Sequence, residues 1–449
     1  MKSLILLFAL LLCVVGAVSY VKGSWASPDA SATETTQVGA DQSIEQNAAT
    51  MVARGRQIFR YDTFGDEAFW TGALKLERAI EGALLGGQGA GVSPKAALAV
   101  GLKVDMDKLP PEVVAQIKAG KVDLDSPATT LALLKLDAVV GLKASVTNSG
   151  GHARLRSIGI SCAICHSTVD NAFAPGIGHR LDGWPNRDLN VGAIIALAPD
   201  LSVVQKLLGA NRTTVVKVLH SWGPGKFDAE LFLDGKAFRP DGKSAATLLP
   251  AAFGLAGVNL HTYTGWGSVT QWNAFVANLE MHGNGTYFDP RLADSKRFPI
   301  AAKAKFYDVR ATVDDVTSKL AALQFYQLAI PAPAPPPGSY DAAAAERGRG
   351  VFAMAQCSRC HVPPLFTEPG WNMHKAQEIG IDDFQASRSP DDRYRTTPLR
   401  GLFARAKGGY YHDGRFSNLE AVVAHYDAFL KLHLTSGQRH DLVEYLKSL

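Results

Sequence analysis

Where the apolar residues of this chain fall in a pattern, the pattern is helical. Leu419, Val422, Val423, Tyr426 and Leu430 lie on one face of a predicted helix. Ser417-Asn418-Leu419-Glu420 ahead of them reads as its capping box. Ser436 to Leu449 predicts a second amphipathic helix, with Leu442, Val443, Leu446 and Leu449 on its apolar side. Helical spacing returns in Phe69 to Ile80 and in Val113 to Ile117. No sustained strand-type alternation stands out, so the fold class is expected to be mainly α.

A different pattern opens the chain. Lys2 precedes an apolar run from Leu4 to Val18, and a Ser/Ala/Thr-rich stretch follows to about residue 50. Charge, apolar run and polar stretch in that order predict an export signal over residues 1–26 and a flexible polar segment over 27–50. Ala17-Val18-Ser19 and Ser24-Trp25-Ala26 offer small residues for cleavage, and Cys13 would leave with the peptide. An uncleaved anchor reaching Val21 is the alternative. The other strong punctuation is Pro331-Ala-Pro-Ala-Pro-Pro-Pro337-Gly338, a stiff linker by composition. It divides an N-terminal region, 51–330, from a C-terminal region, 339–449.

Composition adds little: 47% hydrophobic, 20% charged and a net charge of +4 over 449 residues describe an ordinary globular chain. Neither that charge nor any Gly-rich phosphate loop argues for a nucleic-acid partner.

Two C-x-x-C-H pentapeptides carry the chemistry, Cys162-Ala-Ile-Cys165-His166 and Cys357-Ser-Arg-Cys360-His361. Two thiols at this spacing can add to the two vinyl groups of one haem, and the next His then reaches the iron. Paired disulfides would not need a His after either pair, and a four-Cys zinc site would need two distant motifs to meet. The cofactors expected are therefore two covalently bound haem c groups, ligated by His166 and His361. Export agrees with this, since c-type haem is attached outside the bacterial inner membrane. The expected location is the periplasm, with or without an N-terminal anchor.

A weak internal repeat accompanies the motifs. Gly55-Arg56-Gln57-Ile58-Phe59 and Gly348-Arg349-Gly350-Val351-Phe352 have the same form, and Pro175-Gly176 and Pro369-Gly370 follow the two motifs. They predict two cytochrome c-like haem domains, the first carrying long insertions. With both proximal ligands assigned, ten other histidines and, past the signal, five methionines remain as possible sixth ligands.

The chain resembles the bacterial dihaem cytochrome c peroxidase superfamily, which includes the MauG-like enzymes. After the second motif come Thr396-Thr397-Pro398-Leu399-Arg400, then Tyr410-Tyr411-His412-Asp413-Gly414, then Leu419-Glu420-Ala421-Val422-Val423, in the family's content and order. In the N-terminal half Ile177-Gly178-His179, Leu249-Pro250 to Trp266-Gly267, and Glu280-Met281 match more patchily, while residues 60–155 and 185–245 have no counterpart.

The resemblance implies site roles. His179, 13 residues past His166, would be the removable sixth ligand of the first haem. Glu280, between Leu279 and Met281, would be the acid–base group for peroxide cleavage, its pKa raised by an apolar setting. Trp266, with Trp272 as fallback, would link the two haems. Tyr426 stands where MauG-like members carry a Tyr ligand and other peroxidases a Met; Met373, His374 and His412 are its rivals. Asn259 and Asp391-Asp392 offer oxygens for a calcium ion of the kind found between domains in family relatives.

The activity implied is reduction of hydrogen peroxide at the first haem. Electrons would come from a small donor protein, a cytochrome c or cupredoxin, through the second. The alternatives are MauG-like or oxygenase-like oxidation of a protein or organic substrate, and a non-catalytic dihaem electron carrier.

Overall fold

The computed structural model describes residues 30–149 and 152–449. The export signal, its cleavage sites and Cys13 lie outside the described residues. Contacts divide the chain into residues up to Ala49 and a compact body from Thr50 to Leu449. The stretch expected to be a flexible polar segment is helical from Ala30, as the start of a helix that runs to Tyr61. From Ala30 onward its alanines favour helix, and no proline follows Pro28 in that stretch to break one. Among the described residues no helix is long and apolar enough to cross a membrane.

The body is mainly helical, and its strands occur only in two-stranded pairs among the described residues. The longest pair is a hairpin, Leu142–Ser149 against His152–Ile160, where no strand pattern was expected. A bulge explains why the alternation is hard to read. Val146 pairs with Leu155 while Ser145 pairs with Ser157, so Arg156 is an extra residue that breaks the period of two. The expected helical stretches are present as Ala68–Ala73 followed by Leu76–Glu81, and as Pro111–Lys118.

The internal repeat is visible as a repeated helix crossing. Gly55 lies against Ala322 and Tyr326 of the helix Leu320–Ala329, so closely that an added Cβ would overlap the Ala322 carbonyl. Gly348 lies in the same way against Asp441 and Tyr445 of the helix Ser436–Lys447. Four residues after each glycine a Phe meets that Tyr edge-on. Phe59 and Tyr326 have ring centroids 5.5 Å apart, and Phe352 and Tyr445 5.3 Å apart. Each crossing brings the helix that precedes a C-x-x-C-H region against a later helix.

The second crossing belongs to a C-terminal core with Val351, Leu402, Leu419, Val423 and Leu442. Its helix Leu419–Leu430 is capped by Asn418, whose Oδ1 accepts the Ala421 N–H at 2.9 Å. The cap is one residue later than the Ser417 box predicted, because Asn serves there as well as Ser does. A true capping box opens the last helix, between Thr435 and Gln438.

The proline-rich segment 331–337 contains no helix or strand. The regions on either side of it nevertheless join one body through buried and half-buried ion pairs. Arg388 is 1% exposed, and its guanidinium donates to Asp234 at 2.8 and 3.1 Å. Arg239 donates to Asp382 at 2.8 Å and to Asp413 at 3.3 Å.

Candidate active site

The first C-x-x-C-H motif occupies a single short helical turn, Ala163–His166, entered from the end of the hairpin. Cys162, Cys165 and His166 are partly buried and line a cavity of about 310 Å³. The wall is largely apolar, with Ile160, Ile164, Leu189, Ile194, Leu248 and Val276 among its residues. Burial raises both thiols to about 12 and holds the His166 ring below its ordinary pKa. His166 Nδ1 lies 3.1 Å from the Pro250 carbonyl. That contact places the proton on Nδ1 and leaves Nε2 as the ligating nitrogen.

Residues 60–155, which had no counterpart in the resembled family, build part of this wall. Phe69 and Trp70 come from the π-helical turn Ala68–Ala73, and both line the cavity. A second π-helical turn, Val276–Glu280, continues the helix Val269–Phe275 and delivers Glu280. Trp70 donates its indole N–H to the Met281 carbonyl at 3.2 Å, and Phe69 stacks on His282 with centroids 3.7 Å apart. The two wide turns therefore clasp one another across the site. Such turns are rare and concentrate where function needs a side chain re-aimed.

Glu280 lines the cavity, and its Oε2 is buried without a hydrogen-bond partner. Burial raises its pKa well above the carboxylate range, and the neighbouring Glu230 and Asp228 add to the rise. It is close enough to Cys165 to help raise that thiol. His282, two residues on, also faces the cavity, and burial lowers its ring to about 4. Its backbone has a positive φ of 63°, unusual for a His and a sign that the position is held by its surroundings. Sequence reasoning passed over His282; its adjacency to Glu280-Met281 was the only available signal.

Two expected residues lie elsewhere. The His179 ring is half exposed and sits 2.8 Å from Asp107, which raises its pKa, and it is not among the cavity-lining residues. Trp266 is 2% exposed and packs against Phe275, Phe298 and Trp272, donating its N–H to Asp289 at 3.1 Å. It belongs to a packed core. Trp272, the fallback, does line the cavity, and its indole nitrogen is buried without a partner.

The second motif spans the 3₁₀ turn Cys357–Arg359 and the residues after it. His361 Nδ1 lies 3.0 Å from the Phe366 carbonyl, the same arrangement as at His166. The phenol of Tyr426 is raised mainly by burial, Tyr411 opposes the rise, and Cys360 and Cys357 are near enough to contribute. The helix thus brings Tyr426 to this motif, while the neighbouring His425 turns away to the Ile379 carbonyl at 2.9 Å.

Among the rivals of Tyr426, His374 has both ring nitrogens engaged, while His412 Nε2 is buried without a partner. His374 is held between Glu368 at 2.6 Å and Glu378 at 3.1 Å. His412 is buried and stacked on Tyr394 at 5.2 Å. Met373 packs its sulfur against Gly265. The oxygens expected for calcium are engaged too. Asn259 accepts the Gly370 N–H at 3.1 Å, Asp392 pairs with Arg297 at 2.6 Å, and Asp391 lies 3.6 Å from Arg291.

The donor set fits haem at the first motif. Two thiols and a His with a free Nε2 meet on an apolar void, and the buried Arg395, which lines it, suits an anionic edge. A search of protein-family models returns no match. The chain is similar to the methylamine utilization protein MauG of Methylorubrum extorquens, at 30% identity over 122 residues, covering 23% of this chain and 34% of MauG. It therefore spans about a third of the length of that curated relative. Among solved structures it is similar to Kuenenia stuttgartiensis hydrazine synthase, at 17% identity and a TM-score of 0.31, over 48% of this chain and 76% of that one. The two motifs, the mainly helical body and the partial likeness to MauG support a haem enzyme.

Proposed function

We propose that this chain is an exported dihaem c-type oxidoreductase, with cytochrome c-like haem regions at 51–330 and 339–449, that reduces hydrogen peroxide at the first haem. Electrons would reach it from a small donor protein, a cytochrome c or cupredoxin, through the second haem. The observation that carries this reading is Glu280, a buried carboxyl with an unpartnered oxygen facing the cavity of Cys162, Cys165 and His166. The repeated Gly–Phe–Tyr helix crossing supports two related haem regions.

Haem, when bound, supplies the redox chemistry. The rest falls to the chain's own residues. His166 is oriented by the Pro250 carbonyl, and the apolar wall excludes bulk water. Glu280, its pKa raised by burial and by Glu230 and Asp228, is placed to move a proton between the two oxygens of a small bound molecule. His179, half exposed beside Asp107, does not obstruct the cavity. Trp272 offers an indole at its wall.

A titration of the holoprotein with hydrogen peroxide, followed by absorption and EPR in oxidised and half-reduced forms, tests the reading. One high-spin haem should react rapidly, and Glu280→Gln should slow it by about a hundredfold or more. Two low-spin haems unmoved in both forms would leave only an electron carrier.

A second reading, oxidation of a protein or organic substrate in the MauG manner, is favoured by Tyr426 beside the second motif and by the likeness to MauG. Rapid reaction without prior reduction, and without turnover of reduced cytochrome c, would select it.

A further inference from the structure

Behind Glu280 lies a group of acids that outnumbers its cation. Asp228 and Arg388 are 0% and 1% exposed, and Glu230 and Asp234 are buried with them. Arg388 gives Asp234 two aligned N–H bonds, at 2.8 and 3.1 Å. It reaches Asp228 with one nitrogen at 2.8 Å, as an ion pair without hydrogen-bond alignment. Glu230 has no cation of its own; its Oε1 accepts from Gln385 Nε2 at 2.8 Å. Glu230, Gln385 and Glu280 all line the cavity, and each has one buried oxygen with no partner.

We infer that Glu230, supported by Gln385 and by the Asp228–Arg388–Asp234 group, is a proton-holding residue that resupplies Glu280 through the cavity wall. The inference rests on the peroxide reading of the same site. Three unpartnered oxygens on one wall are all acceptors, and a carboxyl group becomes a donor only by taking a proton. Leaving several carboxylates ionised against one guanidinium in a buried setting is prohibitive, so protons must be stored there. A water between the acids would lengthen the relay, not replace it.

The titration of the group agrees with this. Burial pushes Asp228 up to about 7 against the pull of Arg388, and Glu230 is raised by the same cause. The other ionisable groups facing the cavity are His166, His261, His282, Tyr263, Arg395 and the motif thiols. Reduction of one hydrogen peroxide consumes two electrons and two protons and yields two waters. The electrons come from the donor protein, and Glu280 alone cannot provide both protons in a single turnover.

The test uses the holoprotein and Glu230→Gln, with Asp228→Asn as a second variant. Infrared difference spectra across neutral pH should show the carbonyl stretch of a protonated carboxylic acid, shifted in deuterium oxide, and Glu230→Gln should remove part of it. The rate with peroxide should fall about tenfold and its pH profile should move, with a smaller change for Asp228→Asn. An unchanged rate and profile in Glu230→Gln would overturn the relay while leaving the peroxide reading intact. Absence of any protonated carboxyl band in the unmutated protein would overturn it without reference to the variants. If the unmutated protein ignores peroxide, the peroxide reading fails, and the infrared band still decides whether these acids hold protons.

Discussion

The first C-x-x-C-H motif lines a largely apolar cavity of about 310 Å³, whereas the second packs Cys357 on the C-terminal apolar core and sets Cys360 among polar groups. Cys360 is half-buried among Glu368, Glu378 and Arg359, and Val362 and Trp371 nearby are 36% and 77% exposed. Around the first void, oxygens of Glu230, Glu280 and Gln385 and the indole nitrogen of Trp272 are buried without partners; in the second region Tyr411 Oη and His412 Nε2 are, while His374 is held between two carboxylates. The same pentapeptide is thus placed in two environments. On the proposed reading, the first would admit a small molecule and manage its protons, and the second would bring a cofactor to where a donor protein could pass electrons. Residues 60–155 supply part of the first motif's wall, through Phe69, Trp70 and Leu142.

The sharpest way to break this comparison is to remove one cofactor at a time. Cys162→Ala with Cys165→Ala, and separately Cys357→Ala with Cys360→Ala, should each lower the haem-to-protein ratio from two to one. Only the first pair should also unsettle the cavity wall, seen as faster proteolysis. Next comes Arg388→Met, which leaves Asp228 and Asp234 buried without their cation and should cost about 3–5 kcal/mol in chemical denaturation.

Each region also buries a neutral histidine, His282 in the first and His412 in the second, both lowered by burial from 6.5 to about 4. A folded-state pKa below the unfolded value means that the contribution to stability is complete above pH 6.5 and is lost as pH falls toward 4. By about 1.4 kcal/mol per pKa unit, each residue accounts for on the order of 3 kcal/mol at the acid end. His282→Gln and His412→Gln should each flatten the acid limb of a plot of melting temperature against pH. The smallest effect compares the two helix crossings. Gly55→Ala and Gly348→Ala each force an overlap with a facing carbonyl and should cost about 1–3 kcal/mol. Similar losses would mark the crossings as equivalent, and a much smaller loss at one would mark that crossing as looser.

What could be read from the sequence was what short-range chemistry writes into it. The C-x-x-C-H pentapeptides, the C-terminal helices and the Gly–Phe repeat are all local in sequence. Tyr426 was placed by helical phase, and it does lie beside its motif. What stayed hidden depends on distant partners. Trp266 matched the family pattern, yet its surroundings of Phe275, Phe298 and Asp289 make it core. His179 finds Asp107 from the unmatched insertion, a partner no motif could announce. Arg388 meets Asp228 and Asp234 across more than 150 residues. The hairpin escaped because Arg156 interrupts its period.

The wide turn that carries Glu280 has a consequence for how this chain can vary. Its hydrogen bonds run from Met281 back to Val276, closing a ring one residue larger than an α-helix allows. A single-residue deletion there would restore a regular helix, and ordinary helical propensity would welcome it. It would also swing every later side chain by about 100°, taking the carboxyl away from the void. A descendant could thus keep its fold and every motif, and lose the carboxyl from its cavity to one in-frame codon.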